Sequence, residues 1–399
     1  RCDEIGLLVF EEIPGWQHIG DEAWKQLSLD YLRAMIERDR NRPAIVLWGV
    51  RVNESGDDTA FYRATNDLAH ELDPTRQTGG VRYIWESEFL EDVFTFNDFG
   101  FPLREPVHTP YLITEFGGHT FPTKTWDHEE RVVEHALRHA RVQNQQIGMP
   151  TVTGAIGWCA FDYNTHQEFG SGDHICHHGV MDIFRLPKYA AAFYASQIDP
   201  AQRVVLQAAT VWSMGDRSGG GVNPLVVFSN CDEIEMFIGD ERQGCFQPDR
   251  ATFPHLPHAP YIIPVSNTHI TWGRAMADLR LVGYIGGQPV MEQRIASDGL
   301  PRALELEADD CELVADGADM TRVAFRIVDR YGNRLPYATQ VVTLDVDGPA
   351  DLIGENPFAL AGGQAAVYLR ARQEPGTVRV RATTPRLPPA EVTVTVREG

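Results

Sequence analysis

Through residue 199, short apolar runs alternate with long amphipathic stretches; beyond it, only short alternating runs and turns follow. That switch constrains the fold more than any other feature. Strands separated by helices pair in parallel, whereas strands separated by turns pair antiparallel. In the first part IGLLVFEE, AIVLWGVRVNES, QTGGVRY, VFTFNDFG, YLITEFGG and GAIGWCAFDY read as six strands. DEAWKQLSLDYLRAMIERDR, AFYRATNDLAHELD and TWDHEERVVEHALRHARVQNQQIG read as helices between them, the last ending at Gly148. Such a pattern is either a (β/α)8 barrel or an open doubly wound sheet, and no glycine-rich phosphate loop supports the second. A closed barrel of this class has eight strands. The expectation is therefore an α/β domain holding strands 3–8 of a TIM barrel, with the first two β/α units upstream of Arg1.

After residue 200 the short strands fall into two groups. RVVLQAATVW, PLVVFSN, EIEMFIG, ADLRLVGYIGG and PVMEQRIA form the first; ALELEA, RVAFRIVD, QVVTLDV, AAVYLRA, GTVRVRAT and EVTVTV form the second. Strands at this spacing predict two all-β, immunoglobulin-like sandwiches. The expected domains are 1–199, 200–299 and 300–399, with TFPHLPHAPYIIP as a loop inside the first sandwich.

A net charge of −21 argues against a nucleic-acid partner and against an anionic membrane face, since both need clustered Lys and Arg. No apolar run is long enough for a transmembrane helix. The opening RCDEIGLLVF lacks an initiator Met and a signal-peptide pattern. The chain is thus expected to start inside a larger gene product, with its compartment, cytoplasmic or secreted, left undetermined. Six scattered cysteines without a CxxC pair form neither a disulfide framework nor a zinc signature.

PYLITEFGGHT poses the chemical question, because Glu115 ends an apolar strand with Gly117 and Gly118 just behind it. A carboxylate there is either a surface residue past the strand end or one held for chemistry. Asn53 and Glu54 end an earlier strand in VLWGVRVNES. Barrel enzymes gather their catalytic groups at such C-terminal strand ends. Two glutamates facing each other across the mouth are the equipment of a glycosidase, one as acid/base and one as nucleophile or base.

NRPAIVLWGVRVNES, YLITEFGG, GWCAFDY and GVMDIFRLPKYAAAFY stand in the order and spacing of glycoside hydrolase family 2. The chain resembles the latter part of a β-galactosidase-type member, with residues 1–199 covered almost throughout. The resemblance implies Glu54 as acid/base, Asn53 as the residue binding the sugar 2-hydroxyl, and Glu115 as nucleophile. GLLVFEE then falls at the third strand and GAIGWCAF at the eighth, which agrees with the strand count. The implied activity is that of a retaining exo-β-glycosidase acting on terminal β-galactosides, with no cofactor and no metal. Its partners would be a carbohydrate substrate and the upstream part of the same protein or a companion chain; a homo-oligomer is compatible with the pattern.

Trp158 resembles the eighth-strand tryptophan that floors the sugar pocket, or is a barrel-core aromatic. Asp162 binds sugar hydroxyls or caps its loop. Trp16, after Glu11 and Glu12, stacks on a sugar ring or lines the loop. Family members usually carry a tyrosine near the end of the sixth strand; FNDFGFP stands there instead, offering Asn97 or Asp98. Arg51 favours an acidic sugar or pairs with a neighbouring carboxylate, the second being the commoner fate. His174, Cys176, His177 and His178 read as a substrate loop rather than a zinc site, their spacing fitting no standard one; His119 is a similar case. FSNCDEIEMFIG resembles the accessory sandwich that often follows this barrel, with Trp212 and Trp272 as its candidates for exposed aromatics. The Asn-x-Lys pair of the family's glucuronidases is not evident where HICHHG stands. The alternatives are a β-uronidase of the same family and a non-catalytic carbohydrate-binding or structural fragment.

Overall fold

The computed structural model describes residues 1–166, 169–213, 221–266 and 275–399; Trp272 lies outside them. The chain forms two compact units, one of residues 1–120 and 141–159, the other of residues 121–140 and 160–399.

The first unit contains six parallel strands: β1 Val9–Glu12, β2 Ile45–Gly49, β3 Gln77–Gly79, β4 Phe94–Asn97, β5 Tyr111–Gly117 and β6 Val152–Trp158. They run side by side in chain order, the β3–β4 step being made by parallel bridges from Gly79 to Val93 and from Arg82 to Phe96. Helix α1, Glu22–Asp39, joins β1 to β2, and α2, Thr59–Leu72, joins β2 to β3. Both start on an aspartate N-cap: Asp21 accepts from the Trp24 N–H and Asp58 from the Phe61 N–H, at 3.0 and 3.1 Å. Leu32 and Ile36 of α1, and Phe61, Tyr62 and Ala69 of α2, close over Trp48, Val50 and Val52 of the β2 segment. Trp48 is fully buried, and its indole N–H is satisfied by Asp73 at 3.0 Å. Burying a large apolar side chain of this kind contributes on the order of 1.5–3 kcal/mol. A second cluster packs Phe94, Phe96, Tyr111, Ile113 and Val152 together.

The β3–β4 connection, residues 80–93, contains no helix. It is held instead by polar contacts: buried Arg82 donates to Glu91 at 2.6 Å and to the Glu88 carbonyl at 3.3 Å. Helix α3, Glu129–Ile147, precedes β6.

In the second unit, among the described residues, the strands between 206 and 295 make a three-stranded and a four-stranded antiparallel sheet that share one core. Trp212 is fully buried in that core with its N–H on the Ala277 carbonyl, so it is no exposed sugar platform. Residues 303–397 form a four-stranded and a five-stranded sheet around a second core that includes Val323, Phe325, Val367, Val380 and Val394. Strand Gly376–Thr383 alternates buried and exposed positions as a two-layer packing requires. No disulfide joins any of the six cysteines. Among the described residues, no helix is long and apolar enough to cross a membrane.

Candidate active site

The two glutamates reach the site by departures from regular strand geometry. Past β2 the chain follows β3, with the Val50 N–H on the Gly79 carbonyl and the Glu54 N–H on that of Val81. Glu54 has φ +56°, a left-handed conformation that a side chain with a Cβ adopts at a cost. Glu115 follows a register shift between Ile113 and Phe116. There strict alternation breaks, Ile113 and Thr114 both being buried and Glu115 partly so. Gly117 and Gly118, at φ +80° and +51°, turn the chain away. A Cβ on Gly118 would stand 3.1 Å from the Trp158 ring, so the glycine lets that indole lie against the turn.

Asn97 ties the site together. Its buried amide Nδ2 donates to Glu54 Oε1 at 3.0 Å and to Asn53 Oδ1 at 3.2 Å. Its Oδ1 accepts from the Thr114 hydroxyl at 2.9 Å. The other oxygen of Glu54 accepts from the Trp16 indole N–H at 2.9 Å and from Gln17 Nε2 at 3.3 Å. Trp16 is pinned beside Asn53 by a parallel bridge and by the Gln17 N–H on the Asn53 carbonyl at 2.7 Å.

Burial pushes the Glu115 carboxyl up to about 8, and the charges of Glu54 and then of Glu12 push it the same way; the side-chain amides of Asn97 and Asn53 oppose the shift. Glu12 is also raised by burial, although part of the residue keeps solvent contact. Glu11 is turned to Arg38 at 2.9 Å.

Glu54, Glu115, Asn53, Asn97 and Trp16 are therefore brought together, with Trp158 beside the Glu115 turn at 38 % exposure. Asp98, the other candidate in FNDFGFP, donates its N–H to the Glu115 carbonyl at 2.9 Å, but its side chain bonds none of these residues. Its side chain is buried and takes the Gly100 N–H, in the fields of Arg104 and Tyr111. Arg51 is 1 % exposed and bonds the exposed Asp57 at 2.6 Å, so it pairs with a carboxylate as expected, its own guanidinium being buried. Gln17 and Thr114 were not anticipated. Nothing in the residues themselves distinguishes them, apart from their adjacency to Trp16 and Glu115.

In the second unit, Asp162 is 4 % exposed and its carboxylate is fully engaged. It accepts from Lys188 Nζ at 2.7 Å and the Gly179 N–H at 2.8 Å, with His177 Nδ1 at 3.2 Å. His177 meets Asp173 through its other nitrogen, Cys176 is buried, and His178 packs against Tyr163 and Phe169. Among the described residues no three His, Cys, Asp or Glu side chains converge as metal ligands. A cleft of about 910 Å³ in the same unit is lined by Arg185, Tyr189, Gln207, Gln293 and Arg326, among others, and by none of the clustered site residues.

Comparison with known proteins adds a family. A family model described as the TIM barrel domain of glycosyl hydrolases family 2 matches residues 2–202, and one for a family 2 C-terminal domain matches residues 304–393. A β-galactosidase of Thermoanaerobacterium thermosulfurigenes is 50 % identical over 380 residues, 91 % of this chain and 53 % of that protein. A β-galactosidase of Rhizobium meliloti is 41 % identical over 96 % of this chain and 54 % of its own. A putative β-glucuronidase of Formosa agariphila is 24 % identical over 92 % and 51 %. The chain spans about half the length of the curated relatives it matches. Among solved structures, a β-glycosidase from Bacteroides vulgatus superposes with a TM-score of 0.74 at 20 % identity, over 99 % of this chain and 57 % of that one.

Proposed function

The chain belongs to glycoside hydrolase family 2, and from that premise we propose that it supplies the catalytic pair of a retaining exo-β-glycosidase that releases terminal β-galactose. The supporting observation is the Asn97 amide, which bonds Glu54 and also approaches Glu115. One amide serving two carboxyls belongs to a close pair. Inverting enzymes hold theirs roughly 6.5–9.5 Å apart to admit a water, and retaining ones about 5–5.5 Å.

In this reading Glu115 attacks the anomeric carbon while Glu54 protonates the departing oxygen. Glu54 then deprotonates the water that frees the sugar. Burial and then the charge of Glu54 raise the Glu115 carboxyl, so Glu115 holds a proton near neutrality. Attack requires that proton on Glu54, and the approach of an electrophilic carbon draws negative charge to Glu115. Asn53 binds the 2-hydroxyl, Trp158 floors the pocket, and Trp16 stacks at its rim as well as donating to Glu54. Asp162, whose carboxylate is already saturated, serves by anchoring its loop.

Galactose is favoured over a uronic acid because the relatives at 41–50 % identity are named β-galactosidases. In addition, the guanidinium of Arg51, a group that could have met a uronic acid, is committed to Asp57 and to the Ser55 and Gly56 carbonyls. The remaining architecture follows the same premise: a TIM-barrel domain, boundaries at 1–199, 200–299 and 300–399, and immunoglobulin-like β units. A non-catalytic fragment is the weaker reading, since both glutamates and both asparagines are in place.

The test is intact-mass analysis after exposure of the longest natural polypeptide containing this chain to a 2-deoxy-2-fluoro-galactosyl trapping reagent. A mass gain of one sugar mapped to Glu115, and absent in Glu115→Gln, is expected. Labelling only by the glucuronyl analogue would replace galactose by a uronic acid. Labelling at another carboxylate would overturn the pair.

A further inference from the structure

The turn that presents Glu54 has its own brace. Arg51, three residues earlier, sends Nη2 to the Ser55 carbonyl at 3.3 Å, the Gly56 carbonyl at 3.1 Å and Asp57 Oδ1 at 2.6 Å. Its guanidinium lies 4.4 Å above the Tyr62 ring of α2, and Tyr62 in turn shares a hydrogen bond with Ser55. Asp57 passes the hold onward, accepting from the Ser87 hydroxyl at 2.6 Å and the Glu88 N–H at 3.1 Å. Arg51 therefore grips the three residues that follow Glu54 and fastens them to the helix-free 80–93 connection.

We propose that Arg51 is a positioning residue for general-acid catalysis: it holds the left-handed turn at Glu54, so that the carboxyl meets the departing oxygen. The inference rests on the acid/base reading of Glu54 given above. A left-handed glutamate relaxes toward ordinary backbone unless its surroundings over-determine it. Arg51 provides that determination with a permanent charge and a planar fork that reaches carbonyls and carboxylate together. A lysine at this position offers one point donor, and a methionine none. Its Nε and Nη1 atoms, buried without hydrogen-bond partners among the described residues, mark a group kept there at a cost. The 1 % exposure of the residue separates this role from substrate contact.

Acid assistance matters in proportion to how poorly the aglycone leaves, and that gives a readout which general damage to the fold would not move. The experiment compares kcat/KM for methyl, phenyl, 4-nitrophenyl and 2,4-dinitrophenyl β-galactosides in the longest natural polypeptide, as wild type, Arg51→Met, Arg51→Lys and Glu54→Gln. Arg51→Met is expected to lose about 100-fold on the methyl glycoside and less than about threefold on the dinitrophenyl one, since misplacement of a catalytic group by about 1 Å costs on this order. Arg51→Lys should show the same graded split at smaller amplitude, and keeps the test open should the Met variant fail to fold. An equal loss across the series, or a wild-type profile in both variants, overturns the proposal. A flat profile in Glu54→Gln instead removes the acid/base assignment itself, and with it the role given to Arg51.

Discussion

At the scale of single residues, the site stands apart from the rest of the chain because it stores unfavourable electrostatics. Glu115 is pushed up to about 8, by burial first and by its acidic neighbours second, from an ordinary value near 4.5. A carboxyl whose folded pKa is raised binds its proton more tightly in the native state than in the unfolded one. It is therefore harmless below about pH 4.5, and costs stability progressively as pH rises through 8. Glu115→Gln removes that cost while keeping the shape. Thermal unfolding of wild type and variant should coincide near pH 4.5 and diverge upward, the variant being more stable by about 1–3 kcal/mol at pH 9. A constant gap at every pH would mean that Glu115 titrates normally. Some of this site was legible in the residues. Asn53, Glu54 and Glu115 stand at the ends of recognisable strands, in a spacing that resembles a known family. Asn97 was reachable only as one of two candidates, because the register shift that brings its side chain, and not that of Asp98, to the glutamates is a property of pairing. The Trp16 and Gln17 contacts to Glu54 span 38 and 37 residues and follow from loop geometry, which no periodicity encodes.

At the scale of elements, the strands and helices of the first unit follow the apolar pattern closely, since each has a core face to bury. Where the pattern misleads, a polar contact has replaced packing. QTGGVRY reads as a full strand, yet β3 stops at Gly79. The chain next passes so close to Glu91 that a Cβ on Gly80 would collide with its carboxylate. Two residues later, Arg82 is wholly buried, with its guanidinium 4.6 Å above the Phe94 ring. The helix-free connection is thus organised about a buried ion pair, which a pattern of apolar residues cannot announce. Arg82→Met leaves Glu91 buried without its cation, holding only the Leu90 N–H, and should destabilise the protein by about 3–5 kcal/mol; the double variant Arg82→Met/Glu91→Leu should recover most of that loss. Urea unfolding of the four members of this cycle measures the coupling. Equal stability of the single and double variants would show that the pair does not organise the connection.

At the scale of the whole molecule, the β units matter to the second unit through what they hold in residues 160–188. Arg322 of the last β unit donates to the carbonyls of Phe184 and Arg185 at 2.6 and 3.0 Å. Gln364 donates to Asp182 at 2.7 Å, and the other oxygen of Asp182 takes the N–H groups of Phe184 and Leu186. Phe184 packs edge-on against Phe358, with ring centres 5.5 Å apart. Further along the same segment, buried Lys188 reaches Asp162 and the Thr123 carbonyl. A distant strand of the last β unit and the loop carrying Asp162 are thereby linked through one short stretch of backbone. Asp182 is itself raised by burial, its hydrogen bonds working the other way, so losing Gln364 leaves a buried carboxyl with fewer donors. Replacing Arg322 and Gln364 together by alanine should therefore free residues 182–188 without melting the last β unit, whose core includes Val378 and Val394. Hydrogen exchange in peptides covering 182–188 is expected to quicken by about tenfold or more, while peptides from Gly376–Thr383 keep their protection. Unchanged exchange in both regions would show that the segment holds its shape without these two contacts, and acceleration in both would make them part of the global fold rather than a local tether.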